Sequence, residues 1–396
     1  MSDKKVEILS QLEQGKITAT EAFSMLNQLN ESSTSATSEV EHPEADRPHS
    51  NGPRNRDFKI PPPPTPPPAP DWVEDLVGNV AGAVQDVMES IKDLNIGTSI
   101  SELISGTYGH FQNTLLFTSN PISQGITKLA IIGKNARVSV TGYGGNVIRV
   151  KCVYDARHAD AEVLFQEENS IYQVMYDESV MRSMEITCEV PYVMIKNAHV
   201  ASKNGAVLLE DIQAGAIVLY TKNDKILANN INCAEFVAQN RNDAIKVQAL
   251  SAQNVHIETT NAKIHTEDVR ANNMSLKTTN DRIKMAFMDV QNLQLHTTNA
   301  SLKLDNLLHG IDDWSGERTL EAHTTNSSIS FNAPPDIGVK IQANAPGGKI
   351  ICKKHGMYFT ESSKNYAQGT SDNYAFSSKK LNAQFSTTNA SVKIRE

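Results

Sequence analysis

The sequence predicts a mainly β chain, most of it a parallel β-solenoid of three-faced, 19-residue coils, with small α-helical pieces ahead of it. Three observations predict this. Asn204, Asn223, Asn242, Asn261, Asn280 and Asn299 recur every 19 residues, and Asn326 follows after 27, one coil plus an eight-residue insertion. Counted from each Asn, position +3 is Val207, Ile226, Ile245, Ile264, Ile283, Leu302 and Ile329, and positions +8, +13 and +15 are apolar in the same way. The apolar offsets advance by two within a face, which is strand alternation, and by three between +5 and +8 and between +10 and +13, which marks corners. A period held over this many units is the mark of a repeat array, in which each coil covers its neighbour.

Ahead of the array, residues 1–30 read as a helical hairpin. Val6, Ile8, Leu9 and Leu12 recur at helical spacing, and Gly15 stands where a helix C-cap would. Thr18 and Glu21 form a capping box, with Ile17 and Ala22 as its staple. Ala22, Met25, Leu26 and Leu29 give the second helix its apolar stripe. So short a unit buries little core, so it is expected to self-associate or dock on a partner through Leu9, Leu12, Ile17, Phe23 and Leu26. Residues 31–70 are rich in Ser, Thr, Glu and Pro and end in a proline tract, a composition that gives a disordered linker with a semi-rigid spacer. Residues 71–95 read as one amphipathic helix, with a stripe running from Val73 to Leu94 and a polar face that is almost wholly acidic. The expected role of this helix is to cap the open end of the solenoid.

The solenoid is expected over residues 100–396. Residues 100–200 hold weaker strands, read as earlier, irregular coils, and Asn389 sits in a Thr-Thr-Asn-Ala phrase that restores the pattern in a last coil. The Asn at 0 and the Thr at +17 are expected as inward or corner residues, with the amides passing hydrogen bonds from coil to coil. Cys233 falls in a small-residue column at +10 and reads as core. The final coil, ending at Ile394, has only Arg395 and Glu396 to blunt its edge.

The chain carries a formal net charge of −8, which argues against nucleic acid as a partner. No signal peptide and no spanning apolar run is visible, and the four cysteines form no paired motif, so the expected location is cytoplasmic or envelope-associated, with the side of the membrane left open. No phosphate-binding loop, zinc motif or nucleophile elbow is present, and no cofactor is expected. The outward column three residues before the Asn reads Glu258, Lys277, His296 and His323, a mixed row without a third partner for a histidine-bound metal. Asp224, Asp243 and Asp281, one residue after the Asn, are explained by turn chemistry. Two loops are candidate interaction sites, the insertion carrying Trp314 and an aromatic loop at 353–380 carrying Tyr358 and Tyr366.

The stretch from Glu7 to Leu26 resembles the SHOCT-like N-terminal hairpin of the LiaX and YvlB type proteins of Gram-positive bacteria, and the Thr-Thr-Asn-Ala coils resemble the β-solenoid domain of unknown function named as a proposed adhesin. Family members usually carry Gly after the Asn; here Ala, Asp or Ser stands there in most coils, with Gly205 the exception. The resemblance implies a non-enzymatic role in cell-envelope stress sensing, through self-association or contact with a membrane signalling protein. The expected function is therefore a scaffold or interaction protein. A self-polymerising, bactofilin-like solenoid and a carbohydrate-active β-helix enzyme are the alternatives, the last requiring clustered carboxylates on one face.

Overall fold

The computed structural model describes residues 111–304, 314–333 and 335–395. The chain divides into two units, 1–67 and 68–396, and all described residues belong to the second. The expected hairpin, linker and capping helix lie outside the described residues.

The regular array comprises β9 (Val207–Tyr220), β10 (Ile226–Gln239), β11 (Ile245–Thr259), β12 (Ile264–Thr278) and β13 (Ile283–Thr297). Each pairs in parallel with the next at a constant offset of 19, so that Ile226 faces Ile245, Ile245 faces Ile264 and Ile264 faces Ile283. All four isoleucines are buried, none more than 3% exposed, in one core that runs the length of the stack. Ladder pairing lapses at +7 and again near +11, which divides each coil into three faces as the apolar spacing requires.

The corner at +7 has a feature the apolar pattern does not reveal. Asp211, Asn230, Ala249, Asp268 and Phe287, one per coil, all adopt left-handed backbone with φ of 52–57°. Asp and Asn tolerate this conformation because their short polar side chains bond locally, whereas Ala and Phe gain nothing in return.

Coil-to-coil hydrogen bonds fix the register. An amide ladder runs through Asn135, Asn204, Asn223, Asn242, Asn261, Asn280, Asn299, Asn326 and Asn389, each Nδ2 donating to the preceding Oδ1 at 2.6–2.8 Å. These side chains are exposed at the corner, so position 0 does not point inward. The buried polar residue two before the Asn forms a second row. Ser202, Thr221, Thr278, Thr324 and Thr387 each donate a hydroxyl to the carbonyl just after the Asn of the neighbouring corner, at 2.7–3.2 Å. A third row, missed in the sequence, lies at +12: Asn254 donates to Glu235, Asn273 to Asn254 and Asn292 to Asn273. The turn reading of the aspartates holds, since Asp224, Asp243 and Asp281 each accept from the next backbone N–H at 2.6–2.7 Å.

The first part of the described chain holds irregular coils, as expected, but with antiparallel strands among them. β2 (Ile126–Gly133), β3 (Ala136–Tyr143) and β8 (Ile195–Ser202) stack in parallel onto the array, β2 on β8, β8 on β9 and β3 on β9. The intervening chain adds β4 (Arg149–Ala156), β5 (Val163–Glu168), β6 (Ile171–Tyr176) and β7 (Met181–Pro191). With β1 (Phe111–Thr118), these close the end in antiparallel pairs, β1 with β4, β4 with β7 and β5 with β6, while β6 and β7 also stack in parallel on β2 and β3. No 19-residue spacing exists here because hairpins interrupt the coils.

The far end holds a second correction. After β14 (Leu302–Leu304), β15 (Gly316–Thr324) and β16 (Ile329–Asn332), the next strands are β17 (Gly338–Asn344) and β18 (Ile350–Cys352). The C-terminal β21 (Lys379–Thr387) and β22 (Val392–Arg395) are not the last coil in space. They insert between these two coils, β21 between β15 and β17 and β22 between β16 and β18. The reason is chemical. Thr387, Asn389 and the ring of Phe385 against Phe331 carry the full coil-matching set, whereas Gly347 occupies the Asn place in the β17 coil and cannot extend the ladder. The open edge expected at Ile394 is therefore paired on both sides, which removes the observation behind a polymerising end.

All four cysteines are free. Burial pushes the Cys152 and Cys233 thiols up to about 12 and raises Cys188 and Cys352 as well, so none is a ready nucleophile. The left-handed corner makes a direct test. Ala249→Gly and Phe287→Gly are each expected to raise stability by about 1 kcal/mol, because glycine bears no Cβ penalty there. Urea unfolding at unchanged m value measures this, and a loss of stability at both positions would contradict the corner geometry.

Candidate binding surfaces

Ser315, Glu317 and Arg318, just after the insertion, border a concavity of about 450 Å³ that is also lined by Ser251, Arg270, Asn272 and Gln291. Its floor is built from the outward column at +9, where Ser251, Arg270 and Asp289 stand in register. Arg318 crosses this column. Its Nη2 donates to Asp289 Oδ1 at 2.6 Å, its Nη1 donates to the Val290 carbonyl at 3.4 Å, and its guanidinium lies 4.3 Å from the Trp314 ring centroid. Trp314, expected as an exposed aromatic, is only 8% exposed and belongs to the core cluster. The insertion interrupts the regular apolar columns, and the indole fills the space beneath Arg318. With its guanidinium engaged by a carboxylate, a carbonyl and a ring, Arg318 shapes a polar groove and holds no arrangement of nucleophile and base.

Half of the aromatic segment at 353–380 is strand, not loop. β19 (Met357–Ser362) and β20 (Tyr366–Ser371) form an antiparallel hairpin that adds to β17. The hairpin gives the stack a short, bulged outer edge, a common defence against unwanted strand pairing. Tyr358 is 68% exposed on it and Phe376 is 91% exposed on the turn beyond. Tyr366 instead is half-buried, its hydroxyl donating to Gln368 at 3.0 Å and accepting from Gln342 at 3.5 Å. Tyr374 donates to Glu317 at 3.3 Å, which ties this turn to the strand that borders the groove. Leu9, Leu12, Ile17, Phe23 and Leu26 lie outside the described residues.

The outward row of Glu258, Lys277, His296 and His323 is brought together as the spacing requires. Lys277 Nζ meets Glu258 Oε1 at 2.8 Å, and the His296 and His323 rings stack 4.8 Å apart. The His256 imidazole beside Glu258, opposed by burial and assisted by Lys277, holds that carboxyl down at about 2. Burial lowers both stacked histidines, with His323 and Lys277 adding to the effect on His296. Among the described residues no group of three metal-ligating side chains forms. Lowered histidines bind fewer protons folded than unfolded, so the stability they allow at neutral pH is lost as pH falls below about 6.5. Tm is expected to fall between pH 7.5 and 5.5, and to fall less in His296→Gln/His323→Gln. An identical slope in the double variant would show that the stack does not set it.

Among the described residues no helix is long and apolar enough to cross a membrane. No curated protein matches this chain. Solved structures similar to it include a proposed adhesin from Parabacteroides merdae ATCC 43184, with 9% identity, a TM-score of 0.37 and coverage of 72% of this chain and 96% of that one. A proposed adhesin from Bacteroides fragilis NCTC 9343 gives 9%, 0.32, 71% and 97%, and a proposed cell adhesion protein from Clostridium sporogenes ATCC 15579 gives 8%, 0.22, 72% and 99%. Scores this low carry nothing about function to this chain. The family model described as Toastrack DUF4097 matches residues 131–374, well over half of the sequence, and the chain belongs to that family.

Proposed function

We propose that this protein is a non-catalytic scaffold: a stiff solenoid that presents binding surfaces at its ends, with the 1–30 hairpin on its proline tether as a movable recognition or oligomerisation module. The observation that carries this reading is the division of labour among side chains. The repeated polar residues are spent on coil-to-coil hydrogen bonds, while the large exposed apolar side chains, Phe287 apart, stand on strands and turns outside the regular array. Leu116 and Leu164 are exposed at one end, and Tyr358 and Phe376 at the other. Exposed aromatics on a rigid frame suit a protein partner or a second copy better than a small substrate.

The tether raises the local concentration of the hairpin around any partner held by the rod. The resemblance of residues 7–26 supports placing the partner among membrane signalling proteins and the role in cell-envelope stress sensing. Free, buried thiols are compatible with a reducing cytoplasmic setting at the inner side of the envelope. A pull-down from native cells with the full chain and with residues 1–30 deleted tests the reading. Loss of partners or a smaller oligomer in the truncated chain is expected, and unchanged partners together with unchanged size would overturn it.

A further inference from the structure

Strand alternation turns positions +14 and +16 of the third face away from the core. In β12 and β13 these positions hold Ser275, Lys277, Gln294 and His296, partly or fully exposed. In the earlier coils the same outer columns hold Ala130 and Ile132 on β2, His199 and Ala201 on β8, Val218 and Tyr220 on β9 and Val237 and Gln239 on β10. Ala130, Ile132, Ala201, Val218 and Val237 are at most 5% exposed and His199 8%, although they face outward, and Tyr220 and Gln239 are half-buried at the margin. Among the described strands, those in closest contact with β9 and β10 are hydrogen-bonded to them edge to edge: β3, β8 and β10 on β9, and β9 and β11 on β10.

A second feature has the same limits. The residue before each ladder Asn is Lys134, Lys203, Lys222 and Arg241 in these coils, and Thr260, Thr279, Thr298, Thr325 and Thr388 in the later ones. The basic row is stacked through the backbone, Lys203 N–H to the Lys134 carbonyl at 3.2 Å and Lys222 N–H to the Lys203 carbonyl at 3.1 Å. Lys134 also pairs with Glu178 at 3.3 Å. An apolar strip and a basic border thus begin and end together, on one part of one face.

We infer that residues 71–94 dock on this outer face as an amphipathic helix, lying along the side of the stack and not over its end. The end is already closed by the antiparallel strands β1, β4 and β7 and by β5 and β6, so nothing there calls for a cap. The stripe from Val73 to Leu94 matches the apolar strip in kind. Asp71, Glu74, Asp75, Asp86, Glu89 and Asp93 match the basic border in sign. The segment ends at residue 94 and the first described strand starts at Phe111, which leaves residues 95–110 as the connection.

Hydrogen exchange on the full chain tests this at two protein concentrations. Amides of 71–94 are expected to exchange on the order of tenfold more slowly than those of 31–60, equally at both concentrations, since isolated helices of this length are marginal. Val218→Asp/Val237→Asp is expected to abolish that protection, and so is Lys203→Glu/Lys222→Glu/Arg241→Glu, which changes only side chains at the corner. Unaltered exchange in 264–297 verifies that each variant is folded. Fast exchange of 71–94 in the native chain would overturn the inference. Protection untouched by the charge-reversed variant would also overturn it, and protection that grows with concentration would give the face to a second copy instead.

Discussion

In-register stacking of like side chains at the interstrand spacing of about 4.8 Å is the constraint on which the rest of the molecule depends. Because each coil repeats after 19 residues, an isoleucine meets an isoleucine and an amide meets an amide. Burial of the apolar columns supplies the driving force, but it tolerates neighbouring registers poorly only in combination with the polar rows. A slip by one residue would turn every inward side chain out and break three hydrogen-bonded rows at once.

The polar rows also decide where irregular segments go. The C-terminal strands carry the Thr and Asn that match the Asn326 corner, so they insert directly beside it although 63 residues separate the two asparagines. The β17 coil, with Gly347 at that corner, takes the outer place and is finished by the β19–β20 hairpin. Specificity of coil order thus comes from a few side chains at one corner, while the apolar core is much the same in every coil. The insertion before Arg318 is accommodated in the same economy, with Trp314 restoring buried volume where the regular columns are interrupted.

Much of this was legible in the sequence because the repeat is chemical as well as spatial. The columns beginning at Val207, the three faces, the amide ladder and the core place of Cys233 all follow from spacing alone. The outward position of the ladder amides does not, since a step of three marks a corner without saying which residue faces water. The antiparallel pairing of the strands between Arg149 and Pro191 was not legible, because hairpin pairing leaves no fixed period. Nor was the position of β21 and β22, which depends on competition between two segments for one coil. Of the candidate binding residues, Tyr358 stands exposed as its loop assignment suggested, whereas Trp314 and Tyr366 are drawn into contacts that an aromatic on an insertion does not announce. The groove at Arg318 was missed; the alternation of Arg270 and Asp289 in one outward column is the signal that could have found it.

A deletion in register tests the stacking claim most directly. Removing Ile257 through Ser275 takes out one full 19-residue period and joins His256 to Leu276 with alternation intact. Removing Ile257 through Met274 takes out one residue fewer and leaves the two halves of the strand out of phase. The shorter rod from the first deletion is expected to keep cooperative unfolding with a Tm close to that of the parent, and the second to lose it. Equal Tm values for the two would contradict the account.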